Sequence, residues 1–312
     1  MKKLGLMYDY GVGNTPMIKV DGTEYNGNLY IKMESFNRNK SIKDRSAYFM
    51  LKSLEERNIL NEEIEIVEST SGNLGLALSF FAGELGIKFT CLVDPTIMQE
   101  KRERLLAMGC NLVDVECGKM DKDYRCARIR IAESMDKEKN IVWTNQYANP
   151  ANTQAHYQTT GPEIWDQRKG RIDYVICAMG SGGTVSGVAK YMKEKEPSIK
   201  IVGVEPYGST IFGDVECPYL SVGAGLVGKS DILKRCVQNI DYSYVVHDED
   251  AINECKIMLT KQHISLGITT GMSIYAARQI LKAHPEKDVV IVSSDGLENY
   301  MGLIKDDKEG TA

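Results

Sequence analysis

Short apolar runs alternate along this chain with longer segments whose apolar residues recur every three or four positions. Such recurrence is typical of amphipathic helices, whereas runs of four to eight apolar residues are typical of buried strands. The predicted strands are residues 63–68, 88–93, 111–115, 141–144, 174–178, 199–204 and 289–293. The predicted helices are residues 73–85, 98–108, 122–135, 184–195, 251–262 and 272–283. This order predicts an α/β fold with mostly parallel sheets that helices cover on both faces.

The alternation occurs in two sets, one in each half of the chain, and therefore predicts two α/β domains with a cleft between them. Ligands of parallel-sheet folds bind at the loops beyond the carboxyl ends of the strands. Loops rich in glycine or hydroxyl groups follow predicted strands, and the functional site is expected among them.

The composition argues against several classes of function. The chain has 312 residues, a formal net charge of -5 and a pI near 5.6, so it has no basic surface for nucleic acid. No stretch approaches the roughly 20 apolar residues that span a bilayer, and the first residues lack the apolar core of a signal peptide. We therefore expect a cytoplasmic protein with no nucleic-acid or membrane partner.

Eight cysteines and four histidines are scattered along the chain. No two cysteines form a C-x-x-C pair and the histidines do not cluster with them, so the sequence predicts no metal site. Reduced, mostly buried thiols are the simpler interpretation. Cys91 and Cys177 lie within predicted strands, which supports it.

The first candidate loop, with the sequence STSGNLG from Ser69 to Gly75, lies between a predicted strand and a helix. Hydroxyl groups and backbone N–H groups at a helix N-terminus attract an anion, here a substrate carboxylate. The alternative is an ordinary helix cap supplied by Ser71 or Asn73.

The second candidate loop, with the sequence GSGGT from Gly180 to Thr184, follows the strand YVICA. Its glycines allow the backbone to approach a ligand closely, and successive N–H groups form a nest for a phosphate. It lacks the lysine of a nucleotide-binding P-loop. The alternative is a tight turn without a ligand.

The third candidate is Lys43, in the sequence SIKDR just before a helical run. A lysine beside charged residues is usually a solvated surface residue. A lysine that faces a phosphate cradle has a second use, because its amine can bond covalently to an aldehyde cofactor.

Taken in order, these motifs resemble the cysteine synthase and cystathionine β-synthase branch of the fold type II pyridoxal-phosphate enzymes. The resemblance runs over nearly the whole chain. The matching segments are GNTP from Gly13, SIKDR from Ser41, TSGNLG from Thr70, QYANPAN from Gln146, TTGPEIW from Thr159, GSGGT from Gly180, GAG from Gly223 and GITTG from Gly267. One such motif is weak evidence, but this many in order is strong evidence.

The resemblance implies a role for each matching residue. Lys43 would hold pyridoxal 5'-phosphate and then act as the base at the substrate Cα. Asn73 would hydrogen-bond the ring oxygen of the cofactor, and Thr269 would line its pocket. The cofactor phosphate would be bound by Gly180, Ser181, Gly182, Gly183 and Thr184. The substrate carboxylate would be bound by Thr70, Ser71 and Gln146.

The loop after the last predicted strand resembles the family turn in which a serine faces the pyridine nitrogen. Either Ser294 or Asp295 falls at that place. A hydroxyl group there would leave the nitrogen unprotonated and favour β-elimination through an aminoacrylate. A carboxylate would hold a proton on the ring.

The resemblance also implies the activity and the domain arrangement. We expect β-replacement or β-elimination on cysteine or an O-activated serine, with sulfide released or incorporated, by a transferase or a lyase. Residues 46–149 would form a smaller, mobile domain, and residues 1–45 with 150–312 a larger one, with the cofactor in the cleft. A homodimer is expected from the resemblance alone.

Some features of the sequence favour other members of this family or another class of enzyme. Leu74 replaces a second threonine of the substrate loop. The segments near Glu68, Val93 and Gly208 are similar to N-(2-amino-2-carboxyethyl)-glutamate synthases, which join phosphoserine to glutamate. A nicotinamide dehydrogenase is a remote alternative, because Glu205 lies at a suitable distance after Gly183.

Asp231 is a further candidate catalytic residue, in the loop after Gly223-Ala224-Gly225. Its carboxylate could activate a water for addition to the aminoacrylate, as a sulfide-producing cysteine lyase would require. The alternative is that Asp231 caps the helix that begins at this point.

Overall fold

The computed structural model describes residues 2–21, 27–70, 72–95, 97–119, 121, 123–221 and 223–300. Its strands are β1 (Met17–Val20), β2 (Asn28–Met33), β3 (Glu65–Ser69), β4 (Lys88–Val93), β5 (Asn111–Asp114), β6 (Ile141–Trp143), β7 (Tyr174–Ala178), β8 (Lys200–Pro206), β9 (Tyr242–Val246) and β10 (Asp288–Ser293). Its α-helices are α1 (Lys43–Glu56), α2 (Asn73–Leu85), α3 (Gln99–Ala107), α4 (Tyr124–Met135), α5 (Pro150–Ala155), α6 (Gly161–Arg168), α7 (Gly183–Lys195), α8 (Asp231–Cys236), α9 (Asp248–Gln262) and α10 (Ile268–Ala283).

The described residues form two compact units. The first comprises the residues up to Val12 together with Lys43–Asn152, and the second comprises Gly13–Ile42 and the residues from Thr153 onward. The sequence analysis placed residues 2–12, 43–45 and 150–152 with the larger unit, whereas in the structure they belong to the first. The mobility of residues 46–149 stays a prediction.

Each unit is built around one sheet. The first unit has four parallel strands in the order β5-β4-β3-β6. The second has six strands in the order β1-β2-β10-β7-β8-β9, parallel except for the antiparallel pair β1 and β2. The predicted α/β fold with mostly parallel sheets is confirmed.

The two central strands of the first unit's sheet, β3 and β4, are buried on both faces, and for this reason they are apolar at successive positions. Ile66 of β3 is fully buried in a core that includes residues of α1 and α2. The next residue, Val67, points to the opposite face and is fully buried against Ala127 and Ala132 of α4.

The central strand of the second unit, β10, is buried in the same way from Val289 to Ser293. Helices α9 and α10 pack on one face. Both begin earlier than predicted: α9 at Asp248, where three acidic residues in its first turn complement the helix dipole, and α10 at Ile268.

The sequence analysis missed elements whose apolar pattern is weak. Strands β1 and β9 lie at the two edges of the six-stranded sheet, and four of the five residues of β9 are only partly buried or exposed. A short π-helix, His156–Thr160, joins α5 to α6. None of the described helices is long and apolar enough to cross a membrane.

Packing at Gly187 of α7 gives a test of the second unit. A Cβ atom on Gly187 would lie 2.7 Å from the Cβ of His156 and closer still to the carbonyl oxygen of Thr153. We expect Gly187→Ala to lower the free energy of unfolding by about 1–3 kcal/mol, as overpacking does. Chemical denaturation measures it.

The matched control is Gly83→Ala on the exposed face of α2, where no atom lies within 4 Å of the added Cβ. Alanine is the better helix former by about 1 kcal/mol, so this variant should be more stable than the wild type. Equal effects of the two substitutions would contradict the packing described for α7.

Candidate active site

The carboxyl ends of four parallel strands, β2, β10, β7 and β8, meet at one edge of the second unit's sheet. The segment after β2 pairs there with the segment after β10: Ser41 forms a backbone bridge with Asp295, and the Ile42 N–H donates to the Ser294 carbonyl at 2.8 Å. The next residue is Lys43, the half-buried first residue of α1. Lys43 therefore directly follows two residues whose backbone is hydrogen-bonded to the segment after β10.

The loop Gly180–Thr184 follows β7 at this edge and leads into α7. Gly182 is the N-cap of α7 with a φ of 91°, and as a glycine it supplies no side-chain cap. The first N–H groups of a helix lack acceptors within the helix. The left-handed glycine and the uncapped 13-residue helix fit a phosphate, which favours the cradle over a turn without a ligand.

Three residues that the sequence analysis did not single out support this loop. Ser230 donates its hydroxyl to the Ser181 carbonyl at 2.7 Å, and Leu233 packs against Gly182. His156 is fully buried, and its Nε2 lies 3.4 Å from the Thr184 hydroxyl. These contacts join segments 28 to 51 residues apart.

The loop after β3 carries the predicted substrate-binding residues of the first unit. Thr70 is buried, and its hydroxyl accepts a hydrogen bond from the Gly72 N–H at 3.2 Å. Gly72 is the N-cap of α2 and Asn73 is the first helical residue, so the interpretation of Asn73 as the cap is wrong. Ser71 lies outside the described residues.

Gln146 lies in the loop after β6, the strand that pairs with β3. Its side chain is buried and donates from Nε2 to the Ser69 carbonyl at 3.2 Å. The structure thus brings Gln146 to the same segment that carries Thr70, as a shared role at a carboxylate requires.

Glu68 lies between these two loops, and the sequence analysis assigned it no role. Its side chain is fully buried and accepts hydrogen bonds from Ser69, Trp143, Thr144 and Gln146. Burial raises the pKa of Glu68 to about 7 even though these four donors lower it.

Leu74 is 2% exposed and belongs to the apolar core of the first unit. The position at which the family has a threonine is thus a core position here, and the loop has one hydroxyl group fewer. Beneath the loop, the Cys91 thiol donates to the Thr70 carbonyl at 2.9 Å.

Thr269 is buried in the first turn of α10. Ser294 is half-buried, whereas Asp295 is 2% exposed and accepts a hydrogen bond from the Tyr300 hydroxyl at 3.3 Å. A Cβ atom on Gly267 would collide with the Asp295 carboxylate. Which of Ser294 and Asp295 faces the ring nitrogen stays a prediction.

Asp231 is the first residue of α8 and does not cap it. Ser230 is the cap, because its hydroxyl accepts from the Leu233 N–H at 3.0 Å. The Asp231 side chain is 55% exposed and pairs with Lys234 at 3.0 Å. The helix-cap interpretation of Asp231 is wrong, and the catalytic one stays a prediction.

The cysteines of the described residues form no disulfide. All eight are free, and five are buried. Burial raises the pKa of Cys177 and of Cys255 to about 12, which keeps both thiols protonated. Within the described part of the chain, no three His, Cys, Asp or Glu side chains are placed to hold a metal ion.

Glu205 is not available to a nicotinamide ribose. It is fully buried and accepts hydrogen bonds from the Ser209 hydroxyl at 2.5 Å and from the N–H groups of Ile211, Phe212 and Gly213 at 2.7–3.0 Å. This argues against the dehydrogenase alternative.

Comparisons with known proteins define the class. Residues 8–295 match the family described as pyridoxal-phosphate dependent enzyme. A cysteine synthase of Buchnera aphidicola is 34% identical over 315 residues, covering 96% of this chain and 95% of the relative. A cystathionine beta-synthase of Apis mellifera is 33% identical over 301 residues, covering 93% of this chain. This chain spans 59% of the length of that relative.

Among solved structures, a hydrogen sulfide-producing enzyme from Fusobacterium nucleatum has a TM-score of 0.87 and 29% identity, covering 96% of this chain and 99% of the other. A cysteine synthase from Entamoeba histolytica has a TM-score of 0.88 and 30% identity, covering 99% of this chain and 93% of the other.

The fold is therefore that of a pyridoxal-phosphate enzyme of fold type II. The chain belongs to the pyridoxal-phosphate dependent enzyme family. The relatives support β-replacement and β-elimination chemistry, and they do not favour the glutamate-condensing alternative.

Gly182 provides a test of the phosphate cradle. An alanine there would be strained at a φ of 91°, and its Cβ would lie within 2.8 Å of a methyl group of Leu233. We expect Gly182→Ala to raise the dissociation constant of pyridoxal 5'-phosphate at least about tenfold. Equilibrium dialysis measures it.

Gly11→Ala is the control, because Gly11 has a φ of 71° but no atom within 4 Å of an added Cβ. It should bind the cofactor like the wild type. Unchanged affinity in Gly182→Ala would contradict the assignment of this loop to the phosphate.

Proposed function

We propose that this chain replaces or eliminates the β-substituent of cysteine or of an O-activated serine, with Lys43 as the base. The observation that carries the proposal is the pair of helices whose N-cap is a glycine, α7 after Gly182 and α2 after Gly72, each following the carboxyl end of a strand. One suits the phosphate of the cofactor, and the other suits the carboxylate of an amino acid.

Pyridoxal 5'-phosphate, when bound, supplies an aldehyde and an electron-withdrawing ring that make the substrate Cα proton acidic. The phosphate would be held by the backbone of Gly180–Gly183 and the Thr184 hydroxyl, and the ring pocket would include Asn73, Thr269 and Ser294. Lys43 would hold the aldehyde and, once released, remove the Cα proton.

The first N–H groups of α2, with Thr70, Ser71 and Gln146, would bind the substrate carboxylate. This contact would fix the amino acid so that its Cα proton faces Lys43 and its β-substituent can leave. The predicted closure of residues 46–149 would exclude water during the reaction. We further expect the active form to be a cytoplasmic homodimer.

The purified protein should release sulfide from L-cysteine. The test is sulfide release by protein saturated with pyridoxal 5'-phosphate, with the amino-acid product identified by mass spectrometry. Serine or lanthionine as the product would identify a cysteine-consuming replacement enzyme. Turnover of O-acetylserine or phosphoserine with sulfide, without sulfide release from cysteine, would assign the synthetic direction, which the similarity to the cysteine synthases of Buchnera aphidicola and Entamoeba histolytica favours.

Lys43→Ala is the control for this assay, because it removes the proposed base and covalent attachment. It should lose at least about 10³-fold in turnover. Turnover close to the wild type in Lys43→Ala, or no reaction of the wild type with any of these substrates, would contradict the proposal.

We also propose that Asp231 activates the water that adds to form serine. Asp231→Asn should then lower serine formation about 10²-fold or more while cofactor binding stays unchanged. Lys234→Gln is the matched control, because it removes the ion pair of Asp231 and keeps the carboxylate. Full serine formation by Asp231→Asn would exclude this role.

A further inference from the structure

The two loops assigned to the substrate carboxylate follow neighbouring strands of the same sheet. The Thr70 loop follows β3 and the Gln146 loop follows β6, and these strands pair in parallel from Glu65 to Val67. Loops at the ends of paired strands lie side by side, but strand pairing alone does not fix their conformations. A further interaction is needed to hold both loops in one arrangement.

The Glu68 carboxylate joins the two loops. Its Oε1 accepts from the Ser69 N–H at 2.8 Å and from the Trp143 indole N–H at 3.1 Å. Its Oε2 accepts from the Thr144 hydroxyl at 2.6 Å and from the Gln146 N–H at 3.1 Å. One donor thus comes from the Thr70 side and three from the segment that leads into Gln146.

Further bonds close this arrangement. The Gln146 side chain donates back to the Ser69 carbonyl at 3.2 Å, and the Asn152 side chain donates to the Gln146 carbonyl at 2.8 Å. The backbone and side chain of Gln146 are therefore both fixed relative to Ser69, which directly precedes Thr70. A change at Glu68 would therefore be transmitted both to the Thr70 loop and to Gln146.

We propose that Glu68 is a positioning residue: its ionised carboxylate holds the Thr70 loop and Gln146 in the arrangement that binds the substrate carboxylate, and its protonation loosens that arrangement. This inference rests on the proposed function of Thr70 and Gln146, and it adds a residue that does not itself touch the substrate.

The pattern of donors specifies the ionised form. A carboxylate only accepts, and here its two oxygens receive four donors. A protonated carboxyl group also donates, and of its four partners only the Thr144 hydroxyl can turn to accept. Full burial opposes ionisation, because a buried charge loses its hydration. The pKa of Glu68 is accordingly raised to about 7, so that both forms occur near neutral pH.

Other ionisable groups surround the site and must be considered in any pH experiment. The charge of Glu68 contributes to the raised pKa of Cys91 on β4 and of Tyr147 in the next loop. Arg128 of α4, which is paired with Asp94, acts in the opposite direction on both groups. The remaining charged and ionisable groups that act on Cys91 or Tyr147 are Cys110, Arg125 and Asp123.

The test compares the wild type with Glu68→Gln, Glu68→Asp and Glu254→Gln, all saturated with pyridoxal 5'-phosphate. Glu254 is a matched control, because it is a buried glutamate paired with Arg278 at 2.8 Å between α9 and α10 of the other unit. The probe is L-alanine, which has the substrate carboxylate but no leaving group. Its dissociation constant is read from the cofactor's absorption spectrum between pH 6 and pH 8.5.

We expect Glu68→Gln to bind L-alanine about tenfold or more weakly at pH 8.5, with cofactor content unchanged. The ratio of its dissociation constant to that of the wild type should fall towards one as the pH is lowered through 7, because the wild type then becomes neutral at Glu68 as well. Ionisable groups that both proteins share change the two dissociation constants by the same factor, so their effect cancels in the ratio. Glu68→Asp should recover part of the affinity, and Glu254→Gln should bind like the wild type.

A second readout is independent of the substrate. A raised carboxyl pKa means that the folded protein holds the proton more tightly than the unfolded chain, whose value is near 4.5. The wild type should therefore lose stability relative to Glu68→Gln as the pH rises from 4.5 through 7, and the difference should be constant above that range. Chemical denaturation at several pH values measures it.

The outcomes separate this inference from the proposed function. If the wild type binds L-alanine but eliminates no β-substituent, the proposed function fails and the ratio still decides the role of Glu68. A ratio near one at pH 8.5, or a ratio independent of pH, overturns the role of Glu68. Failure of the wild type to bind L-alanine overturns both.

Discussion

In each unit a fully buried glutamate holds a loop beside the sheet, and the loops held by Glu68 are those of the candidate site. Glu68 lies one residue before the end of β3 and Glu205 one residue before the end of β8. Each accepts four hydrogen bonds from the loops next to its strand. A buried carboxylate is costly unless it is fully hydrogen-bonded, so each loop must adopt the one conformation that supplies these donors.

The N-termini of the helices differ in whether the N-cap residue supplies a side-chain hydrogen bond. α4 and α8 begin with capping side chains, Asp123 and Ser230, which accept hydrogen bonds from their first turns. α2 and α7 begin after Gly72 and Gly182 and have no side-chain cap. A side-chain cap occupies one of the first N–H groups of a helix, whereas a glycine at the N-cap provides no side-chain acceptor that would compete with a ligand. The two helices that are proposed to bind anions therefore share a glycine N-cap.

The sequence analysis predicted the strands and loops that are determined by a local pattern of residues. Continuous apolar runs located β4, β7 and β10 to within a residue, since strands buried on both faces leave little ambiguity. The edge strand β9 was missed because its residues are mostly exposed. The candidate loops could be found from their glycines and hydroxyl groups, and their assignment to a cofactor came from resemblance. Glu68 was missed because its partners at Trp143, Thr144 and Gln146 lie 75 to 78 residues away, and no local pattern records such a contact.

Leu74 shows why the positioning of this loop has consequences for binding. Its side chain is buried in the core of the first unit, so it anchors the loop by apolar contact and provides no donor. The carboxylate of a substrate would then rely on fewer hydroxyl groups than the family pattern provides, and a missing hydrogen bond costs on the order of 1 kcal/mol. With fewer donors, the orientation of each remaining one has a larger effect on affinity. In the proposed site that orientation depends on the hydrogen bonds of Glu68, so Leu74 and Glu68 would both influence how the substrate carboxylate is bound.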